Sequence, residues 1–168
     1  MSNSERAPES DAALDTELDA GLDALDLDLV SGADAARMLG VKPSRIKQLV
    51  RDRLLVARRS GGHWQVPAAV LIELDSPMGQ EPTALKLASR IADSVRLAED
   101  EEPLPAATHV PLWSLPGTLT VLADAGFSDE QALSWLFSFS PELDARPIDA
   151  VLEGKHHRVN SVASALGW

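Results

Sequence analysis

Apolar positions early in this chain fall at Leu14, Leu18, Leu22, Leu25 and Leu29, spaced four, four, three and four apart, which would line one face of a helix. Their neighbours are mostly Asp, Glu, Ser and Ala, and Gly21 interrupts the run. So charged a segment buries too little apolar surface to offset the entropy of ordering, and residues 1–28 are expected to form a tail disordered in isolation. The alternative is a helix docked on the body or on a partner.

From residue 29 the pattern tightens. Ser31 can cap a helix, with Asp34 three residues on and Ala35, Ala36, Met38 and Leu39 as its inner face. Gly40 closes that helix, Val41 is the apolar residue of the turn, and Pro43 suits the first position of a second helix. Ile46, Leu49 and Val50 share one side of this second helix, predicted over Pro43–Arg53, and the other side carries Ser44, Arg45, Lys47, Gln48 and Arg51. Leu54–Ala57 and Trp64–Pro67 then read as extended runs around Gly61 and Gly62, whose freedom to take positive φ predicts a β-hairpin. Two short helices joined by a glycine-containing turn, the second basic outside and apolar inside, form a helix-turn-helix, and the hairpin stands beside it as a wing. Residues 29–74 would hold this unit.

Residues 75–110 read as a linker with one amphipathic helix. Pro77, Gly79 and Pro82 break the chain, Thr83 could cap, Leu87, Ile91 and Val95 repeat every four residues, and Glu99–Glu102 with Pro103 and Pro105 end the run. Residues 111–168 predict a small antiparallel helical domain. Pro116 opens one helix and Gly126 ends it, Ser128 caps the next with Gln131 in the capping-box position, and Pro147 opens another that Gly154 closes. The expected core there is Leu119, Leu122, Phe127, Leu133, Leu136, Phe137, Ile148, Val151, Leu152, Val159, Val162 and Leu166, with Trp113, Trp135 and Trp168. The fold class is thus mainly α, a winged helix-turn-helix with a small β-hairpin wing plus a C-terminal helical domain.

Composition narrows the function classes. Cysteine is absent from the 168 residues, which removes disulfides, thiolate metal sites and cysteine nucleophiles and makes a reducing cytoplasm the expected compartment. No stretch approaches the roughly 18 apolar residues of a membrane span, so no membrane is expected among the partners. Catalysis lacks a constellation: there is no phosphate-cradling glycine loop, no His-x-x-x-His and no nucleophile elbow, and the neighbouring His156 and His157 would point about 100° apart on a helix. Neither an enzyme, a metal nor a cofactor is expected.

Charge makes the strongest distinction. The chain carries −11 overall, but residues 1–30 hold −8, residues 31–73 hold +5 and residues 74–168 hold −8. An acidic protein repels a polyanion at long range, yet contact is decided by the field within about 10 Å at physiological salt. One basic helix face is ordinary solvated surface. A basic helix, turn and wing gathered in one segment of an acidic chain point instead to double-stranded DNA, whose duplex carries one charge per about 1.7 Å. Lys42, Ser44, Arg45, Lys47, Gln48 and Arg51 are the candidate contacts from the helix and its turn, and Arg58, Arg59 and His63 those from the wing. Trp64 is expected to pack the wing onto the helices, and His63 to be a turn residue or phosphate contact rather than a metal ligand. A lone helix reads few base pairs, so useful specificity favours a homodimer on paired half-sites.

The segments AARMLGV, KPSRIKQLVRDRLL and VARRSGGHWQVP resemble the winged helix-turn-helix of MerR-like and excisionase-like DNA-binding proteins over Val30 to about Leu71. Lys42 departs from that pattern, standing where such families place a serine or threonine cap. The segments GTLTVLADAGFSDEQALSWLF and RPIDAVLEGKHHRVNSVASALGW are similar to the C-terminal domain of a small actinobacterial family of winged helix-turn-helix DNA-binding proteins. That resemblance implies a transcriptional regulator or nucleoid-associated factor, with Ser/Thr protein kinases acting on the acidic tail, where Thr16 is the sole threonine. A weaker similarity of WLF and RPIDAVLEGKHHRV to the toxin-binding domain of Xre-type antitoxins implies the rival reading, a protein-interaction adaptor or antitoxin-like module working through its C-terminal helices.

Overall fold

In the computed structural model the described residues are 21, 25, 27–94 and 103–167. Leu14, Thr16, Leu18, Leu22, Val95, Glu99–Glu102 and Trp168 therefore lie outside them. Leu29 does not continue a leucine-lined helix. It starts strand β1 (Leu29–Ser31), which runs antiparallel to a later strand with Val30 opposite Val66. Leu25 and Leu27 pack against the core, and the Asp28 carbonyl accepts from the Ala68 amide at 2.8 Å.

Helix α1 (Gly32–Leu39) begins at Ser31, whose hydroxyl oxygen accepts from the Asp34 amide at 3.1 Å and whose hydroxyl donates to the Asp34 carboxylate at 2.9 Å. The acid thus grips the cap's side chain rather than its backbone. Gly40, at φ 67°, ends the helix, with its amide on Arg37 O and that of Val41 on Ala36 O, the paired bonds of a Schellman closure. Helix α2 (Arg45–Arg51) is shorter than the predicted Pro43–Arg53. The Arg45 and Ile46 amides donate to the Lys42 and Pro43 carbonyls, three residues back, so the entry is a tight turn with no side-chain cap. At the exit Arg53 holds φ 58° while its amide and that of Leu54 reach Val50 O and Leu49 O. An arginine therefore occupies the left-handed position that glycine takes in α1.

The wing is β2 (Arg58–Ser60) and β3 (His63–Pro67), joined by Gly61 at φ 56° and Gly62 at φ 82°. Two consecutive positive φ values make the primed turn that matches strand twist. The register pairs Arg59 with Trp64 and Ser60 with His63, and β1 adds a third strand in the order β1-β3-β2.

Among the described residues, the one helix expected within 75–110 lies between two short strands that pair with each other. A short strand β4 (Leu71–Glu73) leads into a fastened turn where Ser76 donates to the Glu73 carbonyl and accepts from the Gly79 amide. Helix α3 (Pro82–Asp93) starts on Glu81 with Pro82 in its first turn, not on Thr83, and buries Ala84, Leu87 and Ile91. Strand β5 (His109–Pro111) then returns to pair with β4, Ile72 opposite Val110.

Helices α4 (Leu115–Asp124), α5 (Asp129–Phe137), α6 (Pro147–Leu152) and α7 (His156–Ala165) follow. The Ser128–Gln131 capping box forms with both bonds in place, and Gly126 and Gly154 take the positive φ expected of helix ends. Thr118, fully buried on α4, donates to Asn160 on α7 at 2.6 Å. Leu166 is not core: it is 42% exposed, one residue past the last helical turn. The buried residues of both halves, from Ala35 to Ala163, make one hydrophobic cluster, so the winged unit and the C-terminal helices share a core.

Candidate nucleic-acid interface

Helix α2 separates cleanly by face. Ile46 and Leu49 are fully buried and Val50 nearly so, while Ser44, Lys47 and Arg51, spaced as i, i+3 and i+7, are all exposed. That stripe is the surface a duplex groove would meet. Lys42 sits half-buried in the turn before it.

The flanks are already engaged. Arg45 does not point outward with the stripe: its Nη2 donates to Ser94 Oγ at 3.1 Å, and its Nε is buried without a partner. Ser94 is the C-cap of α3, and a cation there faces the negative end of that helix's dipole. Gln48 donates through Nε2 to Asp52 Oδ1 at 2.8 Å, so a carboxylate four residues on holds its amide.

On the wing the two arginines diverge, since successive side chains on a strand point to opposite faces. Arg58, 8% exposed, turns inward and its Nε donates to Gln65 Oε1 at 2.8 Å. Arg58, expected as a wing contact to DNA, thus sits largely within the body in this structure. Replacing it by alanine is expected to lower the unfolding free energy by about 1–3 kcal/mol, the usual cost of stripping a buried polar partner. A denaturant titration with an unchanged midpoint would contradict this. Arg59 and His63 are exposed on either side of the bare Gly61–Gly62 tip.

The structure thus leaves Ser44, Lys47 and Arg51 on the helix and Arg59 and His63 on the hairpin as solvent-facing groups, holds Arg45 half-buried against the end of α3 and turns Arg58 inward. Two features escaped the sequence reading. Arg53 is exposed in its left-handed position at the end of α2, where the missing glycine was the available signal. Ser94 lies 49 residues from Arg45, and no local pattern announces that contact. His156 stacks edge-on against Trp113, ring centres 5.9 Å apart. Among the described residues no His, Asp and Glu cluster could hold a metal ion, and no helix is long and apolar enough to cross a membrane.

Residues 17–71 match the family model described as the winged helix-turn-helix domain of DNA-binding protein Rv2175c, and residues 112–167 match the Rv2175c C-terminal domain of unknown function. The chain is 28% identical over 177 residues to DNA-binding protein Rv2175c of Mycobacterium tuberculosis, covering 97% of this chain and 98% of the relative. Its fold is similar to the NMR structure of Rv2175c, with a TM-score of 0.57 at 24% identity over 85% of this chain and 83% of that one.

Proposed function

Because the chain belongs to the small actinobacterial family of winged helix-turn-helix DNA-binding proteins, we propose that it binds double-stranded DNA in the cytoplasm as a transcriptional regulator or nucleoid-associated factor. The observation that carries this reading is the exposed stripe of Ser44, Lys47 and Arg51 on α2, together with the exposed Arg59 and His63 that flank the turn of the hairpin. Helix α2 enters the major groove, Lys47 and Arg51 meet base edges or flanking phosphates, and the wing holds the adjacent backbone. Lys42 and Gln48 flank that contact, while Arg45 and Arg58 support it from within. Selection of bound sequences from random duplexes tests the reading. Enrichment of one motif is the regulator's result and uniform recovery the nucleoid factor's; a chain that retains no duplex at low salt returns the adaptor reading. Sedimentation with the selected duplex tests whether two copies bind paired half-sites.

The acidic N-terminal segment regulates this binding. Residues 1–20 carry six acids and one base, and a tethered polyanion competes with DNA at the high effective concentration that tethering gives. A truncation should stop at residue 20, since Leu25, Leu27 and Asp28 contact the body. Removing residues 1–20 is expected to tighten duplex binding several-fold at low salt and little at high salt, because screening weakens the competitor. Phosphorylation of Thr16 by a Ser/Thr kinase adds about −1.5 to −2 charge and strengthens the competition. Equal affinities for full-length and truncated chains across the salt series would remove the competition.

A further inference from the structure

The wing's outward arginine is held in place. Arg59 and Trp64 face each other across the hairpin, and the guanidinium carbon lies 5.6 Å from the indole ring centre. Nη2 of Arg59 also reaches back toward the Gly62 carbonyl, at 3.4 Å. Trp64 is itself anchored, since it is partly buried against the hydrophobic core. Its backbone and Cβ press on the start of α1 so closely that a Cβ on Gly32 would lie 3.0 Å from the Trp64 Cβ and 3.3 Å from its carbonyl oxygen. Trp64 therefore ties the wing to the first turn of α1 through its backbone and Cβ, and offers its indole to the arginine.

An exposed arginine has many rotamers, and binding would otherwise have to remove that freedom. Stacking on an aromatic face restricts the guanidinium while using none of its in-plane N–H donors. Apart from the Nη2 hydrogen that reaches toward Gly62 O, the donors remain a fork near the wing tip, suited to two oxygens of one phosphate. Arg58, one residue earlier, is spent on Gln65, so Arg59 is the wing arginine that can make this contact.

We propose that Trp64 is the positioning residue of the wing, its indole holding the Arg59 guanidinium as a preformed fork for a DNA backbone phosphate. The proposal rests on the DNA-binding reading above. It differs from simple hairpin packing in a measurable way, because Trp64 then acts on DNA only through Arg59.

The test is a double-mutant cycle on the full chain with a labelled random-sequence duplex, read by anisotropy over a range of salt. Arg59→Ala is expected to weaken binding about three- to tenfold and to lower the salt slope by about one, as for a lost phosphate contact. Trp64→Leu should cost a similar factor when Arg59 is present and nothing further when Arg59 is already alanine, and Trp64→Phe should restore most of the loss. Additive losses, or a folded Trp64→Leu chain with wild-type affinity, would overturn the proposal. Should Trp64→Leu fail to fold, Trp64→Met takes its place in the cycle with the same expectations. A wild-type chain that binds no duplex overturns the DNA-binding reading itself, whereas wild-type binding with additive losses overturns only the role of Trp64.

Discussion

Reversing both exposed cations of α2, Lys47→Glu with Arg51→Glu, is expected to weaken duplex binding on the order of 100-fold or more near 0.1 M salt and to lower the salt slope by about two. The two residues sit one turn apart on the exposed stripe, so the change replaces two attractions to the phosphate field with two repulsions. The fold should scarcely notice. Like charges at i, i+4 repel by roughly 0.2–0.5 kcal/mol whichever sign they bear, and neither side chain reaches the core. Anisotropy titrations at several salt concentrations, with thermal unfolding as the control, check both halves of the statement. Undiminished affinity in a folded variant would remove α2 from the DNA.

Leu49→Ala is expected to lower the unfolding free energy by about 2–5 kcal/mol, the range for a large aliphatic side chain removed from a packed core. That is a substantial part of the 5–15 kcal/mol that holds a typical domain folded. Leu49 is fully buried on the inner face of α2, and its carbonyl also accepts the Leu54 amide that closes the helix. Because the buried residues of the winged unit and of α4–α7 form one cluster, the loss should shift a single transition that includes the C-terminal helices. Denaturant unfolding followed by far-ultraviolet circular dichroism and by tryptophan fluorescence tests this, since Trp64 reports on the wing and Trp113 and Trp135 on the C-terminal half. Separate midpoints for the two probes would show that the halves unfold independently.

Much of the secondary structure was legible because its signals are local. Gly40, Gly61, Gly62, Gly126 and Gly154 all adopt the positive φ for which they were read as stops and turns. The Ser128–Gln131 pair forms the box its spacing announced. The three-residue strands β1, β4 and β5 were not legible: they are too short to carry a period, and each exists because a distant partner supplies its hydrogen bonds. The start of α3 shows a related limit. Thr83 had the chemistry of a cap, but Pro82 in the first turn set the boundary two residues earlier, on Glu81.

The candidate interface divides along the same line. Composition and spacing alone concentrated positive charge in residues 31–73 and placed it opposite Ile46, Leu49 and Val50, because helical periodicity and charge count are properties of neighbours in the chain. Which of those cations meets solvent was decided by tertiary packing. Strand alternation turned Arg58 toward Gln65 and left Arg59 outside on Trp64, and the end of α3 claimed Arg45 through Ser94. A side chain's direction depends on what the fold brings against it from far along the sequence, and those partners lie beyond the reach of any local pattern.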